Sequence, residues 1–144
     1  MQLWELIARE RIRDVVSRYA TNVDSGRFDE VVSLFAPDAT FVLRDRRYQG
    51  RDEIRSIFTT AGDSLESHQR GAPVIRHHVT SHQIDVLSPT EARSRCYFVV
   101  FVAGGLDHWG RYLDEFGLVE GNWRITSRRD LIDGLVPGGW AARE

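Results

Sequence analysis

The residues most suited to chemistry lie in the stretch VIRHHVTSH, where His77, His78 and His82 fall within six positions. Imidazole is a common metal ligand, and it is also the side chain best suited to moving protons near neutral pH. On a helix, His78 and His82 would lie one turn apart and could share a zinc ion. Two chemistries are therefore open, metal binding and acid–base catalysis, and the secondary structure must decide between them.

The neighbours of these histidines favour a strand. Val79, Thr80 and Ile84 are β-branched, and no helical stripe of apolar residues runs through the segment. Four residues of strand separate His78 from His82 by about 13 Å, several times any metal–ligand distance. We therefore expect no metal site, and no organic cofactor either, because the chain lacks a glycine motif that cradles phosphate.

A strand places neighbouring side chains on opposite faces, so one of His77 and His78 should enter the concave side of the sheet. A single histidine is most often structural, and catalysis requires a partner that sets its tautomer. Asp24 is a candidate partner, because the first helix delivers it beside the core, although such a carboxylate is as often a cap or a surface charge. If the alternation is uninterrupted, the side chain of His78 lies on the same face of the strand as those of Thr80, His82, Ile84 and Val86.

Apolar periodicity predicts the elements that position these residues. Ile12, Val15, Val16, Tyr19 and Val23 follow the spacing of a helix with one apolar face, from about residue 4 to 23. The pattern then predicts a short helix carrying Phe28, Val31, Val32 and Phe35, a stop at Pro37, a strand from Thr40, and a third helix after Gly50 that is followed by a polar loop.

The second half of the chain is predicted to be mostly strand. From Arg76 onward, β-branched and aromatic runs are bounded by LSPTE, AGGLDH and VEGNW, which predicts three or four long antiparallel strands. Helices followed by an antiparallel sheet are typical of an α+β domain with helices on one face of a curved sheet. We expect residues 1–144 to form one domain, with a tail from about residue 134 that is either loose or a lid.

The composition of the chain limits the kinds of partner that the protein is expected to bind. The net charge of −2, with arginines interleaved among acids, does not favour nucleic acid binding. The N-terminus lacks a signal-peptide core and no run is long enough to span a membrane, so a cytoplasmic protein is expected. Cys96 has no partner for a disulfide and is expected to be buried. Apolar residues on both faces of the strand around Tyr97 predict a homotrimer or homodimer.

Four stretches together resemble the SnoaL-like branch of the nuclear transport factor 2-like superfamily, over about residues 5 to 132. They are YATNVDSGRFDEVVSLFAPDATFV, YQGRDEI, RHHVTSHQIDV and GRYLDEFGLVEGNWRITSRR. The resemblance implies a cone-shaped fold of about three helices on a strongly curved, mainly antiparallel sheet, with a small hydrophobic molecule in the cone. The superfamily includes dehydratases, isomerases, cyclases, dehydrochlorinases, dioxygenase small subunits and non-catalytic binders, so the fold leaves the function open.

Within that superfamily the chain is most similar in motif to scytalone dehydratase and hexachlorocyclohexane dehydrochlorinase. This similarity implies that Asp24 and His78 form an acid–base dyad and that Arg128 assists a leaving group. The dehydratase has a second histidine on the next strand. This chain reads YFVVFVA there and has no histidine in that stretch. The residues expected to bind substrate are Tyr19, Tyr112, Trp109 and Phe98.

The position of Arg128 depends on the register of the last strand. Uninterrupted alternation places Arg128 with Arg124 and Thr126, opposite the apolar Trp123 and Ile125. Either a bulge resets the alternation, or Arg128 lies outside the pocket.

These observations favour a cofactor-free lyase or isomerase, dehydratase-like, that acts on a small hydrophobic cyclic compound by His/Asp acid–base catalysis. The alternatives are a non-enzymatic small-ligand-binding protein on the same fold, or a polyketide or steroid cyclase-isomerase. A dioxygenase small subunit is a weaker alternative, because no extra docking extension is seen in the sequence.

Overall fold

Two helices and a short strand pair come first in the chain, a third helix follows, and four long strands complete the fold. The structure, a computed structural model, describes residues 1–143. The helices are α1 (Leu3–Asp24), α2 (Phe28–Ser33) and α3 (Gly50–His68), with a 3-10 turn at Ala141–Arg143. The strands are β1 (Phe35–Leu43), β2 (Arg46–Gln49), β3 (Ile75–Ser88), β4 (Glu91–Val102), β5 (Gly105–Val119) and β6 (Asn122–Leu135).

The strands form a single six-stranded sheet in the order β2-β1-β6-β5-β4-β3. β1 runs parallel to β6 and every other pair is antiparallel, so the α+β class with a curved, mainly antiparallel sheet is confirmed. The four long strands are those predicted, and the tight turn before β6 has positive φ at Glu120 and Gly121. The helices cover the inner face of the sheet, and their apolar residues share one core with it.

Two element boundaries differ from the prediction. β1 begins at Phe35 rather than at Thr40, so Phe35 lies on this strand and not on the short helix, which ends at Ser33. Pro37 is tolerated in the strand because it is exposed and lies where the pairing with β6 is irregular. α3 continues to His68 through the stretch expected to be a loop, since Leu65 extends the buried stripe begun by Ile54.

Irregularities in the strands determine which side chains face inward. β3 has an extra residue at Ser81, which has a φ of 53°. β5 has one at Asp107, between the pairings of its neighbours with β4, and β6 has one at Thr126. Each such bulge shifts the alternation of faces by one position along the sequence.

The outer face of the sheet carries exposed apolar side chains, among them Tyr97, Phe101, Leu106 and Trp109. Cys96 points the other way and is buried, as predicted. Within residues 1–143, none of the helices combines the length and apolar character needed to cross a bilayer.

Gly110→Ala should destabilise the protein. A β-carbon at Gly110 would lie 2.0 Å from the carbonyl oxygen of Leu131 and 2.9 Å from the ring of Phe98. Because the closest neighbour is backbone, β6 has to move, and overpacking of this kind costs about 1–3 kcal/mol. We expect a lower midpoint of urea denaturation. The control is Gly104→Ala, whose β-carbon meets no atom within 4 Å; equal midpoints for the two variants would contradict the close approach of β5 and β6.

Candidate active site

A cavity of about 330 Å³ lies between the helices and the inner face of the sheet. This volume is near the lower end of the range for ligand pockets, about 300–1,000 Å³, so a small molecule fits. The ionisable side chains on its wall are Tyr19, Asp24, Arg44, His77, His108 and Asp130. The rest of the wall is mainly apolar and includes Val23, Phe28, Phe41, Leu43, Ile57, Phe58, Leu65, Ile75, Ile132 and Trp140.

Asp24 and His77 form a hydrogen-bonded pair on this wall. Asp24 is the last residue of α1, and its Oδ1 accepts a hydrogen bond from Nδ1 of His77 at 2.6 Å. Its Oδ2 accepts a second one from the backbone N–H of His77 at 3.0 Å. Both side chains are 11% exposed. Because a carboxylate only accepts, the neutral ring carries its proton on Nδ1, and Nε2 keeps a lone pair that can act as a base.

The partner of Asp24 is therefore His77, and the position predicted for His78 is wrong. His78 is exposed on the outer face of the sheet, with its ring 5.3 Å from the ring of Phe101. His77 pairs instead with the fully buried Val100 on β4.

The bulge at Ser81 explains this difference. Uninterrupted alternation would put His78 and Ile84 on one face, and Ile84 is in the core. The extra residue at Ser81 reverses the alternation between them, so that His77 and Ile84 both face inward.

His82 lies beyond the bulge and does not line the cavity. Burial lowers the pKa of His82, and its Nε2 has no hydrogen-bond partner among the described residues. Within residues 1–143, no three His, Cys, Asp or Glu side chains are grouped so that they could hold a metal ion.

His108 on the same wall forms a second imidazole–carboxylate pair with Asp107, which is buried and not on the wall, and the sequence did not reveal this pair. Nδ1 of His108 lies 2.7 Å from Oδ2 of Asp107, which is 1% exposed. The sequence predicts a strand boundary at AGGLDH, whereas β5 already begins at Gly105 and its bulge turns both side chains inward. Burial lowers the pKa of His108, although Asp107 acts in the opposite direction, so the imidazole is neutral near pH 7. The signal available in the sequence was the acidic residue Asp107 directly before His108.

The two cavity histidines flank one strand. Val100 on β4 pairs with His77 on one side and with His108 on the other. Two strand spacings put their Cα atoms about 10 Å apart, and both side chains point to the same face. A molecule of one or two rings between them would contact both imidazoles.

Of the four side chains predicted to bind substrate, Tyr19 lines the cavity and the other three do not. Trp109 follows His108 on β5, so it points to the outer face and is 38% exposed. Phe98 and Tyr112 do point inward, but they are buried in the core, where their rings stack 4.4 Å apart.

Arg128 points inward because the bulge at Thr126 resets β6, yet it lies in the core rather than on the cavity wall. Its Nε and Nη2 each bind one carboxylate oxygen of Asp114 at 2.7 Å, and both side chains are fully buried. Its Cζ lies 4.2 Å from the ring centroid of Tyr19 and 3.9 Å from that of Tyr112. The predicted placement beside a leaving group is therefore corrected, because Asp114 and the two tyrosines hold the guanidinium below the wall.

Asp130 is a further wall residue that the sequence did not reveal. It follows Arg128 by two positions and so faces inward once the bulge at Thr126 is known. Burial raises its pKa to about 7, the Asp114 charge adds to this, and Arg128 opposes it. Its Oδ1 has no hydrogen-bond partner among the described residues. The cavity thus contains a carboxyl group that is largely protonated below neutral pH.

The segment after β6 covers one side of the cavity, and we call Val136–Ala141 the C-terminal strap. Trp140 and Ala141 line the cavity, and the Trp140 indole N–H donates to Oγ of Ser64 on α3 at 3.1 Å. Arg44 donates to the Ala141 carbonyl at 2.8 Å. The tail is therefore seated on the cavity, and it starts after Leu135, where β6 ends.

Helices on the inner face of a curved sheet, enclosing an apolar cavity with a few converging polar groups, define a cone-shaped α+β fold of the cystatin-like, NTF2-like type. The chain belongs to the SnoaL-like domain family, whose model matches residues 4–129.

Solved structures with this fold include several enzymes and subunits. A candidate scytalone dehydratase from Novosphingobium aromaticivorans is 20% identical, with a TM-score of 0.80 over 94% of this chain and 91% of that one. LinA, an HCH dehydrochlorinase, is 16% identical, with a TM-score of 0.79 over 94% of each chain. The beta subunit of a candidate aromatic-ring-hydroxylating dioxygenase from N. aromaticivorans is 19% identical, with a TM-score of 0.73 over 92% and 93%.

At these identities the similarity shows the fold. Proteins of unknown function have the same fold, one of them from Mycobacterium tuberculosis. No curated protein matches the chain.

Asp130→Asn should stabilise the protein progressively as pH rises. The pKa of Asp130 is raised from 3.8 to about 7 on folding, so between these values the folded state binds more protons than the unfolded state. Stability therefore falls from about pH 4 to about pH 7 and stays low above it. Asparagine removes this titration at nearly constant size. Urea denaturation of the variant and wild type should diverge in favour of the variant from pH 4 to pH 8.

The exposed Asp63, changed to asparagine, is the matched control and should show no such divergence. A variant whose stability relative to wild type is the same at pH 4 and pH 8 would contradict a protonated buried carboxyl at Asp130.

Proposed function

We propose that this protein is a cofactor-free lyase or isomerase that moves a proton on a small hydrophobic cyclic compound, with His77 as the base and Asp24 as its orienting partner. The observation that carries the proposal is the 2.6 Å contact between the two side chains on the wall of an apolar cavity. A positioned imidazole whose other nitrogen is bound to a carboxylate is the usual arrangement of a general base.

The proton transfer follows from this geometry. The Nδ1–H group of His77 stays hydrogen-bonded to the Asp24 carboxylate while Nε2 takes a proton from a substrate carbon. The carboxylate then stabilises the imidazolium that forms. In an elimination, the electron pair of the broken C–H bond becomes the new C=C bond. The electron pair of the C–O or C–halogen bond leaves with the hydroxyl group or the halide. In an isomerisation, the pair moves into an adjoining carbonyl and a proton returns at another carbon.

Other wall residues suit the leaving group. A departing hydroxyl must gain a proton to leave as water, and Asp130, with its pKa raised to about 7, can supply it. The neutral ring of His108 offers Nε2 as an acceptor for a substrate hydroxyl. Arg128 does not reach the cavity; it is paired with Asp114 and supports the Tyr19 ring from the core.

The cavity also supports a substrate class. Its volume of about 330 Å³ and its aromatic and aliphatic wall suit a compound of one or two rings that carries a hydroxyl, carbonyl or halogen. A cyclase-isomerase would use the same base. A non-catalytic binder would use the same wall but would not depend on His77.

The substitutions His77→Ala and His78→Ala separate catalysis from binding. A panel of cyclic β-hydroxyketones and halogenated cyclohexanes is incubated with the protein in D₂O, and mass spectrometry follows loss of water or halide and deuterium uptake at carbon. With a compound that turns over, His77→Ala should lower the rate at least about a hundredfold, because the base is lost. His78→Ala, on the outer face, should keep the wild-type rate.

Asp24→Asn should also lower the rate, because the amide cannot stabilise an imidazolium, and the double variant with His77→Ala should be hardly slower. Equal losses in His77→Ala and His78→Ala would show that the effect comes from folding and not from the base. A compound that binds but that no variant converts would identify a binder.

We also propose that the chain forms a homodimer or homotrimer through the outer face of its sheet. Tyr97, Phe101, Leu106 and Trp109 are exposed there together, an arrangement typical of an interface. One similar structure is a beta subunit, so this fold occurs within larger assemblies. The single domain over residues 1–144 and the cytoplasmic location stay predictions from the sequence.

Changing Tyr97 and Trp109 together to glutamate should produce a monomer, because the contact would bury unpaired charges. Light scattering at micromolar concentration measures the mass. Leu87→Glu is the control, since Leu87 is exposed near the far end of β3 and should leave the oligomer intact. A wild-type monomer at this concentration would contradict the proposal.

A further inference from the structure

We propose that Asp107 is a positioning residue that links the tautomer of His108 to the seating of the C-terminal strap over the cavity. The link itself is a property of the folded chain. Its catalytic consequence, that His108 presents a fixed acceptor to substrate only when the strap is seated, rests on the function proposed above.

One buried carboxylate holds both partners. Oδ2 of Asp107 accepts from Nδ1 of His108 at 2.7 Å and from the backbone N–H of Ala141 at 3.1 Å. Oδ1 accepts from the backbone N–H of Trp140 at 2.7 Å. The backbone carbonyl of Asp107 accepts from Val136 N–H at 2.8 Å, so both ends of the strap are tied to this residue.

The carboxylate determines where the imidazole proton resides. A carboxylate has no hydrogen to donate, so the neutral ring bound through Nδ1 must be the Nδ1–H tautomer. Nε2 of His108 then carries the lone pair, and the structure gives this nitrogen no partner among the described residues. Because His108 lines the cavity, its Nε2 is available to a bound molecule.

The strap keeps this carboxylate away from water. Asp107 is 1% exposed with the strap seated, and two of the three hydrogen bonds to its side chain come from strap amides. If the strap lifts, water can bind the same oxygens, and the bond that orients His108 competes with solvent. The tautomer of His108 is then no longer held.

The groups around His108 are consistent with this link. Burial lowers the pKa of His108, Asp107 on its own strand acts to raise it, and His77 on β3 and Arg44 after β1 act to lower it. Ring contacts with Trp140 of the strap and Phe98 of β4, with centroids 6.1 Å and 5.9 Å away, complete its surroundings. Lifting the strap exposes the His108 ring to water. The imidazole would then lose its fixed tautomer and would become protonated more easily.

Gly139 provides a variant that disturbs the strap without changing a titratable group. A β-carbon at Gly139 would lie 2.7 Å from Oδ1 of Asp107 and 3.0 Å from the carbonyl oxygen of Val136. Gly139→Ala should therefore push the strap off the carboxylate. Gly104→Ala is the matched control, since its β-carbon meets no atom within 4 Å.

The test uses the whole chain and two measurements by nuclear magnetic resonance. Long-range ¹H–¹⁵N correlation of the histidine rings reports the tautomer of His108, assigned by its absence in His108→Gln. Amide hydrogen exchange reports the strap at Trp140 and Ala141. Wild type and Gly104→Ala should show Nδ1–H and protected amides.

Gly139→Ala should speed exchange at both amides at least about tenfold, because hydrogen bonds to a charged acceptor are lost, and His108 should become a mixture of tautomers. Asp107→Asn should switch His108 toward Nε2–H, because the new amide group can donate to Nδ1. Protection in the α1 core amides should be unchanged in both variants, which separates strap release from unfolding.

Faster exchange in Gly139→Ala with His108 still purely Nδ1–H would overturn the proposed link, and so would unchanged exchange in that variant. If Asp107→Asn does not fold, Gly139→Ala alone decides. Because neither measurement uses a substrate, a negative result leaves the function proposed for His77 standing. Equally, a chain that converts none of the tested compounds leaves the link standing.

Discussion

A strand with strict alternation presents one set of side chains to the core along its whole length, and β3, β5 and β6 interrupt that pattern with extra residues, among them Ser81, Asp107 and Thr126. On β3 the interruption lets His77 reach the cavity at one end while Ile84 packs into the core at the other. Without it, either the imidazole would face solvent or the apolar half of the strand would. The extra residues on β5 and β6 in the same way bring His108 and Asp130 to the wall.

The pairing of the inward-facing carboxylates follows from a second constraint, the cost of burying an unpaired charge. Asp24 is bound to His77, Asp107 to His108, and Asp114 to Arg128. A buried charge is costly unless it is paired and hydrogen-bonded. Asp130 has nearby positive charge but no such bond to its Oδ1, and burial accordingly raises its pKa to about 7. The cavity therefore combines imidazoles held by carboxylates with one carboxyl group that keeps its proton more readily.

The buried Arg128 connects these parts. It forms a bidentate pair with Asp114, contacts the rings of both Tyr19 and Tyr112, and lies two positions before Asp130 on β6. Removing one member of such a pair leaves the other charge buried and unpaired, at a cost of about 3–5 kcal/mol. Arg128 is thus better placed to support Tyr19 from the core than to touch a leaving group. The two imidazoles of the cavity wall lie elsewhere, where α1 ends beside β3 and where the C-terminal strap packs on His108.

The sequence alone was sufficient for the helices, for three or four long strands and for the curved α+β sheet, because these depend on local periodicity and turn residues. It also indicated the family, through the resemblance of four stretches of sequence. The apolar stripe of α1 also predicted that Asp24 lies beside the core, and the structure places this carboxylate on the cavity wall. The sequence could not choose between His77 and His78, or place Arg128, because a bulge depends on how two strands pair and leaves little local signal. Asp107, Asp130 and the seating of Trp140 required the tertiary structure, since their bonds and burial come from segments distant in the chain that only the folded sheet brings together.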